Sequence, residues 1–205
     1  MIVIVDYNMG NVRSIAKALE SLGVKVLISN KKEDIKKADR LILSGVGAFA
    51  DGMKNLKKLG LINFLNQEVI KNKKLILGIC LGMQLMAKDS AEFGLHKGLG
   101  WLDASVKEFN LKNKNLKIPH VGWNNVRIID KKCSLLKGIK SGTDFYFVHS
   151  YHLICRLKNT VKAVCCYGDD FTAVIQKDNI FGTQFHPEKS QKFGLEILKN
   201  FINLK

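Results

Sequence analysis

An α/β fold, with a mostly parallel central sheet flanked by helices and a strand-rich C-terminal half, is what this sequence predicts. Three observations carry that expectation. Short apolar runs alternate with amphipathic stretches through residues 1–77, the pattern of strands buried on both faces and covered by helices. A composition of 46% apolar and 25% charged residues over 205 positions suits a chain that buries a full core. No internal repeat, low-complexity tract or Pro/Ser linker interrupts residues 1–205, which are expected to form a single domain.

The run 1–5 reads as the first strand. Over 11–22, Val12, Ile15, Ala16, Leu19 and Leu22 recur at helical spacing, and Gly23 stops the helix before an apolar run at 24–28. A short strand at 41–43 leads into a Gly-rich turn, helical patterns cover 50–58 and 61–71, and a strand at 75–77 closes the series. The second half offers strand candidates at 101–109, 125–129, 144–148, 161–167, 171–175 and 180–184, then one helix at 189–204. These later strands are expected to extend the first sheet.

Lys+Arg 33 against Asp+Glu 18 leaves a net charge of +15, which raises the question of nucleic acid or an acidic partner. The excess is lysine. Arginine occurs only at Arg13, Arg40, Arg127 and Arg156, and no basic stripe is interleaved with aromatics, so nucleic-acid recognition is not expected. The lysine runs within 31–37, 71–74 and 112–117 read as solvated turns and helix faces. No segment approaches the roughly 20 apolar residues of a membrane-spanning helix, and the N-terminus lacks a basic segment and cleavage site. Cys80, Cys133, Cys155, Cys165 and Cys166 are an odd set without metal-ligand spacing, which fits a reducing cytoplasm.

Chemistry enters at Leu77-Gly78-Ile79-Cys80-Leu81-Gly82-Met83-Gln84, a strand, a sharp Gly-flanked turn and a helix start. This is a nucleophile-elbow pattern with Cys in the place of Ser, and a helix N-terminus favours the thiolate. On spacing alone Cys80 reads equally well as a small buried hydrophobe. A second cluster, Gln184-Phe185-His186-Pro187-Glu188, places His and carboxylate at i and i+2, on one side of an extended segment stiffened by proline. In that reading Cys80 attacks, His186 shuttles the proton and Glu188 orients the imidazole. Taken singly, Glu188 is also a plausible first-turn carboxylate of the last helix, and His186 an edge-strand residue with a satisfied ring.

Together these residues resemble the class I glutamine amidotransferases. Within them, Asp6-Tyr7-Asn8-Met9-Gly10-Asn11, Ser44-Gly45-Val46-Gly47-Ala48-Phe49, the Cys80 block, Pro119-His120-Val121-Gly122-Trp123-Asn124, Tyr146-Phe147-Val148-His149-Ser150-Tyr151 and Gln184 to Ser190 are similar to the glutaminase subunits of imidazole glycerol phosphate synthase. The resemblance implies hydrolysis of L-glutamine to glutamate and ammonia, with an oxyanion site from Leu81 and from Val46 and Gly47, whose turn can need a peptide rotation to present the Val46 N–H. It implies glutamine binding by Gln84, Glu92 and Ser150; Gln84 lies at i+4 from Cys80 and can face the same cleft. It implies no cofactor, and no metal is expected because His120, His149 and His152 lack ligand spacing. It implies a (βα)8-barrel cyclase partner that receives the ammonia in histidine biosynthesis, met near Asn11, Trp123, Tyr146 and Lys189. The departures Asn8 and Ser44, the latter where the family commonly has Pro, leave open a paralogous subunit feeding amidation of a surface sugar.

Overall fold

The computed structural model describes residues 1–113 and 115–204. In chain order the first half runs β1 (Ile2–Val5), α1 (Val12–Glu20), β2 (Val26–Ser29), α2 (Lys32–Lys37), β3 (Arg40–Gly45), α3 (Phe49–Lys58), α4 (Ile62–Leu65), a π-helical continuation (Asn66–Lys71), β4 (Leu75–Cys80) and α5 (Leu81–Leu85). The second half runs β5 (Ala87–Ser90), β6 (His96–Lys97), β7 (Leu102–Glu108), β8 (His120–Ile128), β9 (Thr143–His149), β10 (Tyr151–Cys155), β11 (Val161–Tyr167), β12 (Asp169–Lys177), β13 (Ile180–Thr183) and α6 (Gln191–Ile202).

Nine strands form one sheet in the order β2-β1-β3-β4-β13-β12-β11-β8-β9. The first five are parallel to their neighbours, and the pairings from β13 onward are antiparallel. The pleat of β1 divides the core: Ile2 and Ile4 belong to one apolar cluster, Val3 and Val5 to the other. On the first side lie Ile15 and Leu19 of α1 with Ile197, Leu198 and Phe201 of α6. The second side holds Ile35 of α2, Phe49 and Leu56 of α3, Leu65 of α4 and all of α5's apolar side chains. This is a sheet covered on both faces, as expected.

One expectation needs correction. The strand candidate at 101–109 does not extend the main sheet: β7 joins a second, four-stranded sheet in the order β10-β7-β5-β6. Leu102, Ala104, Val106 and Leu153 of this sheet are buried on the α3/α5 side, so it acts as a covering layer like a helix. Strands β5 and β6 and helix α2 are short and carry too few apolar residues for periodicity to reveal them; β10, Tyr-His-Leu-Ile-Cys, is short but mostly apolar and was not among the expected strands. β8 begins at His120, five residues before the expected start, and the expected helix at 189–204 is a 3-10 turn (Pro187–Lys189) followed by α6. The lysine run at 112–117 includes Lys114, which lies outside the described residues, as does Lys205; Lys112 and Lys117 are exposed.

Two glycines let α5 close onto the sheet. A Cβ on Gly82 would collide with the Leu43 carbonyl, and one on Gly78 would meet the Met83 backbone at 2.7 Å. Neither obstacle is a flexible side-chain end. Gly82→Ala should therefore lower the unfolding free energy by on the order of 3 kcal/mol; an unchanged urea midpoint would mean that α5 is not held against β3.

Facing strands β8 and β9 share a buried polar chain. His149 Nδ1 lies 2.9 Å from the Tyr151 carbonyl, which can only accept, so Nδ1 carries a proton. In the neutral ring Nε2 then accepts from His120 Nδ1 at 3.1 Å, and His120 Nε2 accepts from the Asn124 amide at 3.3 Å. A second proton on either ring would set N–H against N–H. Burial pushes His120 down to about 4 and His149 down to about 3, and it lowers His152, stacked on Phe109 at 4.8 Å. Each of these native pKa values lies below the unfolded one near 6.5, so the neutral rings stabilise the fold above that pH and lose the contribution as pH falls toward 4. Stability should decline between pH 6.5 and 5 by up to about 1.4 kcal/mol per pH unit for each proton taken up. Urea titrations at stepped pH check this, and a flat profile in that interval would refute it.

Candidate functional site

Cys80 ends β4 and adopts φ 51°, ψ −112°, a strained conformation for a residue with a side chain, before α5 starts at Leu81. The reversal from strand to helix takes place at this one residue. Leu81 is the first residue of α5, so its N–H has no intrahelical acceptor. The sulfur is nearly buried, with the Gln184 amide 3.7 Å away and the Val148 carbonyl at 3.9 Å.

His186 follows β13, which pairs in parallel with β4 at Thr183 and Ile79, so the chain leaving β13 emerges beside the end of β4. The His186 N–H donates to the Tyr146 carbonyl at 2.9 Å, and Ser190 Oγ joins the His186 carbonyl to the Tyr146 N–H. Its Nδ1 lies 2.8 Å from Glu188 Oε1, with both side chains fully buried. The two meet through the 3-10 turn at Pro187–Lys189, where the sequence had suggested an extended segment. Asn11 donates its side-chain amide to the same Glu188 oxygen. An Asn at a helix N-terminus ordinarily caps it, yet at α1 the side chain makes no capping bond and is committed to Glu188.

Burial alone would depress His186, but the charge and proximity of Cys80, followed by Glu188, outweigh it and carry the imidazole up to about 10. Its Nε2 is buried without a hydrogen bond of ordinary geometry.

A cavity of about 270 Å³ opens at Cys80, lined by Val46, Gly47, Leu81, Gln84, Glu92, Phe93, His149, Ser150 and Tyr151 among others. Gln84 is buried there and donates to the Tyr151 carbonyl at 2.8 Å and to Gln184 Oε1 at 3.1 Å. Glu92 accepts from the Phe49 N–H at 2.6 Å, and burial raises its pKa against that hydrogen bond. The Ser150 carbonyl accepts from Phe109 at 3.2 Å, tying the cavity wall to β7. The Val46 N–H donates to the Met9 carbonyl at 2.9 Å. It is thereby occupied, while Gly47, at φ +105°, permits a turn no other residue adopts easily.

The residues expected at a partner contact form a surface group. Trp123 is 49% exposed and meets Tyr146 edge to face at 6.1 Å, and Lys189 Nζ lies 5.6 Å from the Tyr146 ring centre. Asn11 donates its amide inward to Glu188. Three participants were not singled out from sequence: Gln184, which touches both Cys80 and Gln84; Phe93, 84% exposed at the cavity mouth; and Tyr7, buried beneath the Gly45 turn. Gln184 and Tyr7 sat inside recognised blocks, but only three-dimensional contact distinguishes them from their neighbours. Among the described residues no group of three His, Cys, Asp or Glu is placed to hold a metal ion, and no helix is long and apolar enough to cross a membrane.

Comparison with known proteins adds to this geometry. A solved structure described as a glutamine amidotransferase superposes with TM-score 0.73 at 20% identity, covering 98% of this chain and 97% of that one. The glutaminase domain of Trypanosoma brucei CTPS does so with TM-score 0.66 at 17% identity, covering 100% and 94%; these likenesses concern the fold. By sequence, imidazole glycerol phosphate synthase subunit HisH 1 of Campylobacter jejuni strain RM1221 is 50% identical over the full length of both chains. Subunit HisH 2 of Methanococcus maripaludis is 49% identical over 98% of each chain, and subunit HisH 2 of Pseudomonas aeruginosa strain PAO1 is 43% identical over 100% of each. A family model of class-I glutamine amidotransferases matches residues 3–204. With a strained cysteine between two glycines and full-length relatives at this identity, the chain belongs to the class I glutamine amidotransferase family.

Proposed function

We propose that this chain is the glutaminase subunit of an imidazole glycerol phosphate synthase, hydrolysing L-glutamine and passing ammonia to a (βα)8-barrel cyclase in histidine biosynthesis. The observation that carries the chemistry is a buried His186 held at Nδ1 by Glu188, 2.8 Å away, with an unpartnered Nε2 on a ring whose proton affinity Cys80 raises. The full-length similarity to HisH subunits supports the pathway.

In this mechanism the Cys80 thiolate adds to the glutamine carboxamide carbon, and the carbonyl oxygen becomes an oxyanion facing the Leu81 N–H. His186, protonated in the resting pair, gives its proton to the departing nitrogen as the C–N bond breaks, leaving a thioester and ammonia. The neutral imidazole then takes a proton from water, whose oxygen attacks the thioester to yield glutamate and the free cysteine. Glu188 keeps the proton on Nδ1 and stabilises the cation in both halves. Gln84 and Glu92 would hold the amino-acid end of the substrate, with the Ser150 backbone opposite. Released ammonia would leave beneath the Trp123, Tyr146 and Lys189 surface, where the cyclase would sit; Trp and Tyr bury large area with few rotatable bonds.

A second reading keeps the same chemistry with another acceptor, the amidation of a surface sugar. It is favoured by the numbered copies among the relatives, HisH 1 in Campylobacter jejuni and HisH 2 in Pseudomonas aeruginosa, which point to subunits with divided duties.

Cys80→Ala should abolish glutamate release from glutamine while leaving the fold intact, since little packing is lost. His186→Ala should cost on the order of 100-fold more than Glu188→Ala, because the proton carrier serves both half-reactions and its orienter does not; equal or reversed losses in steady-state assays would reassign the roles. Because the Val46 N–H is spent on Met9, this chain by itself should be a poor glutaminase. A cyclase from the same organism carrying its own ligand should raise kcat by about 100-fold or more, the worth of one oxyanion donor, with little change in KM. Full activity without a partner would refute this gating, and activation only by a second cyclase-like barrel would select the sugar reading.

A further inference from the structure

Tyr7 leaves β1 and ends beneath the turn that follows β3. It is 1% exposed, and its Oη has no hydrogen-bond partner. A buried phenol without an acceptor is costly and rare in a folded protein. Its location is fixed by a neighbour: a Cβ built on Gly45 would overlap Tyr7 Oη and would stand 3.1 Å from Met9 Cβ, so the phenol and Met9 flank Gly45 on one side. Met9 is also the residue whose carbonyl holds the Val46 N–H at 2.9 Å.

A planar trans peptide ties the motion of its two ends together. When the Val46 N–H leaves Met9 to face an oxyanion at Cys80, the Gly45 carbonyl of the same peptide swings to the side the N–H vacated. There it would confront the Met9 carbonyl, an acceptor like itself, and would be buried without a donor. The geometry points to Tyr7 as a positioning residue for the oxyanion turn, its hydroxyl held unpaired at rest and donating to the Gly45 carbonyl once the peptide has rotated. Burial and the nearby Cys80 charge hold the phenol in its protonated, donating form. Gly45 is required at this position because any side chain would displace that hydroxyl.

This inference rests on the glutaminase reading and deepens it. Tyr7→Phe removes one oxygen and no ring packing, so it separates hydrogen bonding from structure. In the full chain assayed alone and with the activating cyclase, kcat for glutamate release should fall about tenfold, the worth of one buried hydrogen bond, with KM for glutamine unchanged. The urea midpoint should stay level or rise, because at rest the hydroxyl has no partner to lose. An unchanged kcat in Tyr7→Phe beside an active wild type would overturn the tyrosine's role alone. A lowered urea midpoint would do the same, showing the hydroxyl already bonded in the resting state. A wild type that releases no glutamate with any barrel partner would refute the glutaminase reading and this proposal with it.

Discussion

The close approach of α5 to β3 and β4 is the constraint on which the rest depends. Gly82 lies against the Leu43 carbonyl and Gly78 against the Met83 backbone, so the chain reverses at Cys80 with its backbone at φ 51°. Parallel register then places everything else at the same sheet edge. Gly45 pairs opposite Cys80 across β3 and β4, and Thr183 pairs opposite Ile79 across β13 and β4. The turn after Gly45 and the His186 segment therefore leave the C-terminal ends of two strands on either side of Cys80, the edge where open α/β sheets assemble their sites. A slip of one residue in either pairing would turn these side chains to the opposite face.

Antiparallel strands supply the opposite wall of the cavity. β9 delivers Val148 and His149, and the turn into β10 delivers Ser150 and Tyr151. The tautomer chain from Asn124 through His120 and His149 ends on the Tyr151 carbonyl, which also accepts from Gln84. One carbonyl thus joins β8, β9 and α5, and the wall that faces the cysteine is set by a directional run of neutral donors and acceptors. Such a run has one proton arrangement, which is why burial and geometry act together to keep the imidazoles uncharged.

How much of this could be read beforehand follows from where the signal lies. The parallel core was legible because its strands are buried on both faces, as with Ile2, Val3, Ile4 and Val5, and its helices repeat at 3.6 residues, as with Ile15 and Leu19. The strand-to-helix reversal at Cys80 and the pairing of His186 with Glu188 were legible because elbow glycines and a His-Pro-Glu run are local. The second sheet was not: β6 has two residues, and β5 reads Ala-Lys-Asp-Ser, a strand made by its neighbours rather than by its own pattern. Nor was the way His186 reaches Glu188, where a turn replaces an extended segment while preserving the spacing. Asn11 shows what resemblance alone does not carry: it was placed at a partner contact by the family, and the hydrogen bond from its amide to Glu188 is visible only in three dimensions.

The unsatisfied atoms show where the molecule departs from its most stable arrangement. Among the described residues six buried side-chain N or O atoms lack a partner, and four of them belong to Tyr7, Ser44, His186 and Glu188. Ser44 lies one residue from the turn at Gly45 and pairs opposite Ile79, one residue from Cys80. Each orphaned donor or acceptor costs about 1–3 kcal/mol when buried, so a cluster of them beside one strained backbone is a large local destabilisation. Surrounding packing supports it: the Phe145 and Phe185 rings stack at 4.1 Å beside the His186 segment, and the flanking strands are fully paired. A resting site saturated with hydrogen bonds would have to break them before a tetrahedral oxyanion could be received. On the proposed chemistry the Val46 N–H would give up its bond to Met9, whereas the Tyr7 hydroxyl, dry and unpaired, would meet the rotated Gly45 carbonyl without first giving up another partner, an interaction made only as the oxyanion forms and therefore one that favours the transition state over the ground state.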